Sequence, residues 1–135
     1  NYSKKPASSI LKTLDEIHNA DGLFFASPEY HGTVSASFKI IVDYFEFLSV
    51  KTPPYLSRKP IGCIALAGAE NAGGLTLNTL INIVQNLRGI PVPASFAVGS
   101  AQKQVDEKGN FTNEKIKRRL KRLAEELYYL SVKLK

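Results

Sequence analysis

Ala20-Asp21-Gly22-Leu23-Phe24-Phe25-Ala26-Ser27-Pro28-Glu29-Tyr30-His31-Gly32 is the stretch that decides the fold. Asp21-Gly22 stops the pattern before it, residues 22–26 form a continuous apolar run with two aromatics, and residues 27–32 form a turn. A short apolar run between turn residues reads as a strand buried on both faces, the kind found in parallel sheets. Parallel strands need long crossover connections, so helices are expected on either side of it.

Working outward, residues 7–19 place Ile10, Leu11, Leu14 and Ile17 at helical spacing. On the other side, residues 35–49 carry a stripe of Phe38, Ile41, Val42 and Phe45, widened by Tyr44, Phe47 and Leu48. A helix that apolar is expected to be covered on more than one side, by a thick core or by a second subunit. After the loop Thr52-Pro53-Pro54-Tyr55, residues 60–67 repeat the buried-strand pattern and run into Gly68-Ala69-Glu70-Asn71-Ala72-Gly73-Gly74. Residues 75–87 are a helix with Leu77, Leu80, Val84 and Leu87 on one side, stopped by Gly89. Residues 90–98 read as a third strand, with Pro91 and Pro93 marking a strand start or a sheet edge. A turn at 106–110 leads to a last helix over 113–133, with Ile116, Leu120, Leu123, Leu127 and Leu130 on one face. The order α-β-α-β-α-β-α predicts a single α/β domain over 1–135, a parallel sheet with helices on both faces.

Bulk properties narrow the function classes. A hydrophobic fraction of 44% and a charged fraction of 22% are those of an ordinary globular protein. No apolar run approaches the roughly 18 residues of a membrane span, and no basic-then-apolar leader opens the chain. The lone Cys63 lies within an apolar strand pattern and is expected to be a buried small hydrophobe in a reducing cytoplasm. The net charge of +6 is concentrated at Lys115, Lys117, Arg118, Arg119, Lys121 and Arg122. These surround an apolar stripe, as on a solvated outer helix, so no nucleic-acid partner is expected. His18 reads as a helix-end residue favouring the dipole.

Ligands of open parallel sheets bind beyond the carboxyl ends of the strands. Two such ends carry unusual loops here. In the first, Pro28 fixes a backbone dihedral, Gly32 permits close approach, and Tyr30 offers an aromatic face. In the second, Gly68, Gly73 and Gly74 let backbone amides approach an acceptor, and the helix that Gly73-Gly74 opens favours negative charge at its start. Both suit a flat ring with polar edges.

The quoted stretch, continued by Thr33-Val34 and by Phe38-Lys39-Ile40-Ile41-Val42-Asp43, resembles the signature of the NAD(P)H-dependent FMN reductases. That family includes quinone, azo-dye and chromate reductases. Val92-Pro93 resembles the V-P before its last strand, and the similarity runs from about residue 7 to 130. The resemblance implies a flavodoxin-like, doubly wound parallel sheet. It also implies that Pro28, Glu29, Tyr30, His31 and Gly32 line the flavin, with Gly68, Glu70, Gly73 and Gly74 approaching from the neighbouring strand. Lys39 and Asp43 become structural or interface residues, although an i,i+4 contact of a few tenths of a kcal/mol explains them equally well.

Two departures stand out. His31 occupies a position where the family usually has Asn, and the family's opening strand and phosphate loop have no counterpart. Because the chain opens at Asn1 with the polar, turn-like Asn1-Tyr2-Ser3-Lys4-Lys5-Pro6, the N-terminal βαβ portion is expected upstream.

The implied activity is hydride transfer from NADPH or NADH through FMN to a small acceptor: a quinone, an azo compound, a metal oxyanion or free flavin. A homodimer or homotetramer is expected, with no membrane partner and no metal-ligand spacing. The alternative is a flavin-free flavodoxin-like scaffold. An electron-carrier flavodoxin is usually acidic, unlike this chain, and a hydrolase using Ser27 and His31 lacks an acid partner and a nucleophile elbow.

Overall fold

The computed structural model describes residues 6–134, so residues 1–5 of the opening turn lie outside the described residues. The elements are α1 (Ser8–Asn19), β1 (Leu23–Pro28), α2 (Ala36–Tyr44), β2 (Pro60–Leu66), α3 (Gly74–Asn86), β3 (Ile90–Pro91), β4 (Phe96–Val98) and α4 (Glu114–Lys133). Short 3₁₀ turns at Phe45–Leu48 and Ala101–Gln104 follow α2 and β4. All strand pairs are parallel. β1 lies along one edge of β2, from Leu23 opposite Ile61 to Pro28 opposite Leu66, and β3 and β4 lie along the other.

Two apolar layers sandwich β2. On one side Ile61, Cys63 and Ala65 pack with Leu14 of α1, Phe45 and Leu48 of the 3₁₀ turn, and Leu80 and Val84 of α3. On the other, Ile64 and Leu66 join Phe96 and Val98 of β4 and Leu123 and Leu127 of α4. Leu80 and Leu123 are both fully buried, and each such side chain contributes roughly 1.5–3 kcal/mol. Gly62 makes room for the Phe24 ring, which a Cβ there would meet at 2.9 Å.

The structure corrects four expectations. β1 is buried on one face only: Phe25 and Ser27 are buried, whereas Phe24 is 48% exposed and Ala26 is open. Apolar content alone did not reveal this alternation. The helix over 35–49 tightens into the 3₁₀ turn at Phe45, which sinks Phe45 and Leu48 into the core. It leaves Ile40 and Ile41 57% and 52% exposed in the single chain, so the core of this chain does not cover them. His18 does end α1, but partial burial and then Lys59 and Lys51 hold its pKa below the ordinary value. The cation that would favour the helix dipole is thus disfavoured.

The fourth correction concerns residues 90–98, which are two strands separated by a turn. Pro91 and Pro93 lack N–H groups, and the chain makes a turn between β3 and β4 in which Ser95 N–H donates to Val92 O at 3.0 Å. The Ser95 hydroxyl repairs the ladder there. It accepts from Cys63 N–H at 2.9 Å and donates to Val92 O at 2.6 Å. Glu126 of α4 accepts from Ala94 N–H at 3.2 Å and pairs with Arg122 at 2.9 Å, tying the break to the outer helix.

The basic cluster lies on exposed turns of α4. Lys117 pairs with Glu114, Lys121 with Glu125, and the Arg119 guanidinium covers the Phe96 ring at 4.4 Å. Among the described residues no helix is long and apolar enough to cross a membrane.

Ser95→Ala leaves the Cys63 N–H without its acceptor, so the full-length variant is expected to lose about 1–3 kcal/mol of stability. The measurement is a urea melt, with a lower midpoint at unchanged slope. Burial pushes the Cys63 thiol up to about 12, so its alkylation, mapped by peptide mass, should track unfolding in both proteins. Rapid native labelling of Cys63 would contradict this packing.

Candidate functional site

The first loop begins on a buried hydroxyl. Ser27 Oγ accepts from Ser35 N–H at 3.0 Å and donates to Pro28 O at 2.9 Å, so one side chain joins both ends of the loop. Between them Tyr30 and Thr33 exchange backbone hydrogen bonds of 3.0 and 3.2 Å. The two residues at the tip, His31 and Gly32, have φ of 53° and 80°. A two-residue connection with both φ positive is a type I′ turn. Such a position favours Gly and tolerates Asn and His better than other residues. His31 is therefore explained by backbone shape, with its side chain exposed. Tyr30 stands 60% exposed beside the turn.

The second loop is fastened to the end of β4. Ala67 N–H donates to Val98 O, Ser100 N–H to Ala69 O and Ala101 N–H to Ala67 O, at 2.8, 3.1 and 2.8 Å. Gly99 permits this approach, because a Cβ there would fall 1.8 Å from the Glu70 carbonyl oxygen. Gly73, with φ of 101°, caps the start of α3, and a Cβ on it would stand 2.9 Å from that of Ala97. Gly68 and Gly74 differ: a Cβ on either would meet nothing within 4 Å.

Glu29 joins the two loops. Its N–H continues the ladder by donating to Leu66 O at 2.7 Å, and its carboxylate accepts from Thr76 N–H in the first turn of α3 at 3.2 Å. Partial burial raises the carboxyl pKa. The Thr76 hydroxyl, Thr76 N–H and Gly73 N–H outweigh that and hold it below the ordinary value. The Thr76 hydroxyl falls short of hydrogen-bond geometry but favours the charged form by proximity. The negative charge expected at the start of α3 is thus supplied by the chain itself.

A cleft of about 520 Å³ opens between the loops, within the usual range for small-molecule sites. Pro28, Glu29 and Tyr30 form one wall, and Leu66, Ala67 and Gly68 the floor. Of the residues anticipated from sequence, Pro28, Glu29, Tyr30 and Gly68 meet there. His31 and Gly32 form the turn tip, Glu70 is exposed with its carbonyl against Gly99, and Gly73 and Gly74 lie at the start of α3. Sequence reasoning missed the opposite wall, formed by Ala101, Gln102, Val105 and Phe111. Its available signal was the turn at 106–110, flanked by one apolar residue on each side.

Comparison with known proteins fits this geometry. The sequence profile of the NADPH-dependent FMN reductases matches residues 2–103. The FMN-dependent NADPH-azoreductase of Staphylococcus aureus (strain USA300) is 31% identical over 96 residues, covering 68% of this chain and 45% of the relative. The chain therefore spans about half the length of the curated relatives it matches. An oxidoreductase from Corynebacterium diphtheriae superimposes with a TM-score of 0.76 at 21% identity, over 96% of this chain and 65% of that one. The flavoenzyme NAD(P)H:(acceptor) oxidoreductase FerB from Paracoccus denitrificans gives 0.74 at 17% identity, over 96% and 70%. At those identities the likeness establishes the fold, a flavodoxin-like α/β sheet. Because the family profile covers three-quarters of the sequence and includes both loops, the chain belongs to the NADPH-dependent FMN reductase family.

Proposed function

We propose that the protein is an NAD(P)H-dependent oxidoreductase that uses FMN to reduce a small acceptor such as a quinone, an azo compound, a metal oxyanion or free flavin. The observation that carries this reading is the convergence of Pro28, Glu29, Tyr30 and Gly68 on one cleft at adjacent strand ends. The residues fit the ring part of FMN. Gly68 faces open space where a Cβ would project, and the exposed Tyr30 offers an aromatic face. The start of α3 is engaged by Glu29, so that helix end is not assigned to the phosphate. When bound, FMN supplies the electron chemistry, receiving hydride from the nicotinamide and passing it on. The chain's own part is to hold the ring edges and present one face, which needs no acid–base side chain. A reducing cytoplasm, read from the lone Cys63, belongs to the same proposal.

Glu29 is a positioning residue in this scheme. Its folded pKa is lowered, so its contribution is fully present above the ordinary carboxylate value and is lost as pH falls through the folded value.

The exposed Ile40 and Ile41 flank an apolar groove of about 310 Å³ between α1 and α2, lined also by Ile10, Leu14, Ile17 and Tyr44. A second copy fits this face. A homodimer, or a tetramer built from it, is the assembly we infer.

Three experiments on the full-length protein follow. Tyr30→Ala and Gly32→Val should each weaken flavin retention at least about tenfold, since the first removes a ring face and the second places a β-branched residue at positive φ. Visible absorption of the cofactor released on denaturation reads this, and unchanged retention in both would remove the site. Glu29→Gln should cost about 1 kcal/mol at neutral pH, as for loss of a helix cap. It should also flatten the acid limb of the stability profile, and parallel acid limbs would show that the clamp is absent. Ile41→Asp should halve the mass seen by light scattering at micromolar concentration, whereas an unaltered mass would place the interface elsewhere.

A further inference from the structure

We propose that the hairpin spanning residues 104–112 is the acceptor-side wall of the cleft, and that Val105 and Phe111 set the width of acceptor it admits. The inference rests on the oxidoreductase reading above. It begins with how completely the hairpin satisfies its own polar groups. Asp106 N–H donates to Asn110 O and Gly109 N–H to Asp106 O, both at 2.9 Å. The Asp106 carboxylate accepts from Lys108 N–H at 2.9 Å and Asn110 N–H at 2.8 Å. Thr112 N–H closes the base on Gln104 O at 2.8 Å, and the Asn113 side-chain amide donates to Gln104 Oε1 at 3.0 Å. The turn thus requires nothing from Val105 or Phe111.

Those two residues nevertheless face each other as an antiparallel pair. Directly opposed residues place their side chains on the same face of a hairpin, and here that face lines the cleft. Val105 is also among the exposed large hydrophobics. Phe111 packs partly against the α4 layer, which fixes the hairpin relative to the sheet. Across the floor stand Pro28 and Tyr30. The cleft is therefore a slot with one wall built on the loop after β1 and the other on the hairpin. Whatever shares the slot with a ring held by the first wall meets Val105 and Phe111. A pair of apolar side chains discriminates by width and does so modestly, about ten- to two-hundredfold per methylene-sized change.

The test uses the full-length, flavin-loaded protein with NADPH and two quinones, single-ring 1,4-benzoquinone and three-ring anthraquinone-2-sulfonate. The readout is the ratio of kcat/KM for the wide acceptor to that for the narrow one. Val105→Phe narrows the slot and should lower the ratio about tenfold, whereas Phe111→Ala should raise it by a similar factor, with released flavin unchanged in both. Because Phe111 also packs on α4, Val105→Phe is the deciding variant. A ratio within about twofold of wild type at full flavin content overturns the proposal. Equilibrium dialysis of anthraquinone-2-sulfonate against flavin-free protein gives a second reading, with weaker retention expected for Val105→Phe. If the wild type holds no flavin and turns over no acceptor, the oxidoreductase reading fails, and the dialysis still decides whether the hairpin limits the slot.

Discussion

Strand β2 has no unoccupied side, and every feature of the site follows from that. One edge is hydrogen-bonded to β1, the other to β3 and β4, and its two faces lie under α3 and α4. Neighbouring strands lie about 4.8 Å apart, so the loops leaving β1 and β2 start side by side. The demands of this packing reach into single residues. Gly62 has no side chain because the Phe24 ring lies there, and Gly89 would meet Ile61 and Val84 at 2.9 Å with a Cβ. Ser95 stands where a proline-broken strand could no longer supply an acceptor.

Electrostatics then fix the loops relative to each other. A helix start carries partial positive charge and unsatisfied N–H groups, and α3 has no side-chain cap on its own Gly73. Glu29, from the neighbouring strand end, fills that role. One carboxylate thereby completes a helix, extends a sheet through its backbone and holds two cleft-lining loops in register. This explains why a charged residue stands in the wall of a largely apolar slot.

How much of this was legible in the sequence depends on whether side-chain pattern or backbone placement governed each part. The alternation of elements, the buried β2 and the strand-end loops were readable because apolar periodicity and glycine clusters record them directly. Pro28, Tyr30 and Gly68 were singled out for that reason and Glu29 through the family resemblance, and the structure brings these four to one cleft. The partner of Glu29 was hidden, because Thr76 offers a main-chain N–H from 47 positions away. The break at Val92 was hidden as well. Pro91 and Pro93 pointed to a strand start or an edge, but only the structure shows Ser95 bridging the gap between two strands. The open face of β1 was invisible because Phe24 and Phe25 are the same residue type, and only packing separates the exposed one from the buried one.

The hairpin wall escaped for a related reason: both walls of the cleft take their shape from backbone hydrogen bonds, which side-chain pattern does not record. The loop after β1 is specified by backbone: a hydroxyl at Ser27, positive φ at His31 and Gly32, and a two-bond turn between Tyr30 and Thr33. Such a loop tolerates His31 in place of Asn without changing shape, since both residues accept the conformation. The 104–112 hairpin likewise keeps its shape through backbone bonds and one Asp106 carboxylate. Of its two cleft-facing residues, Phe111 packs on the α4 layer, whereas Val105 is left unconstrained by folding. Residues that the fold does not need are the ones a family can vary to change specificity while the sheet and its first loop stay fixed.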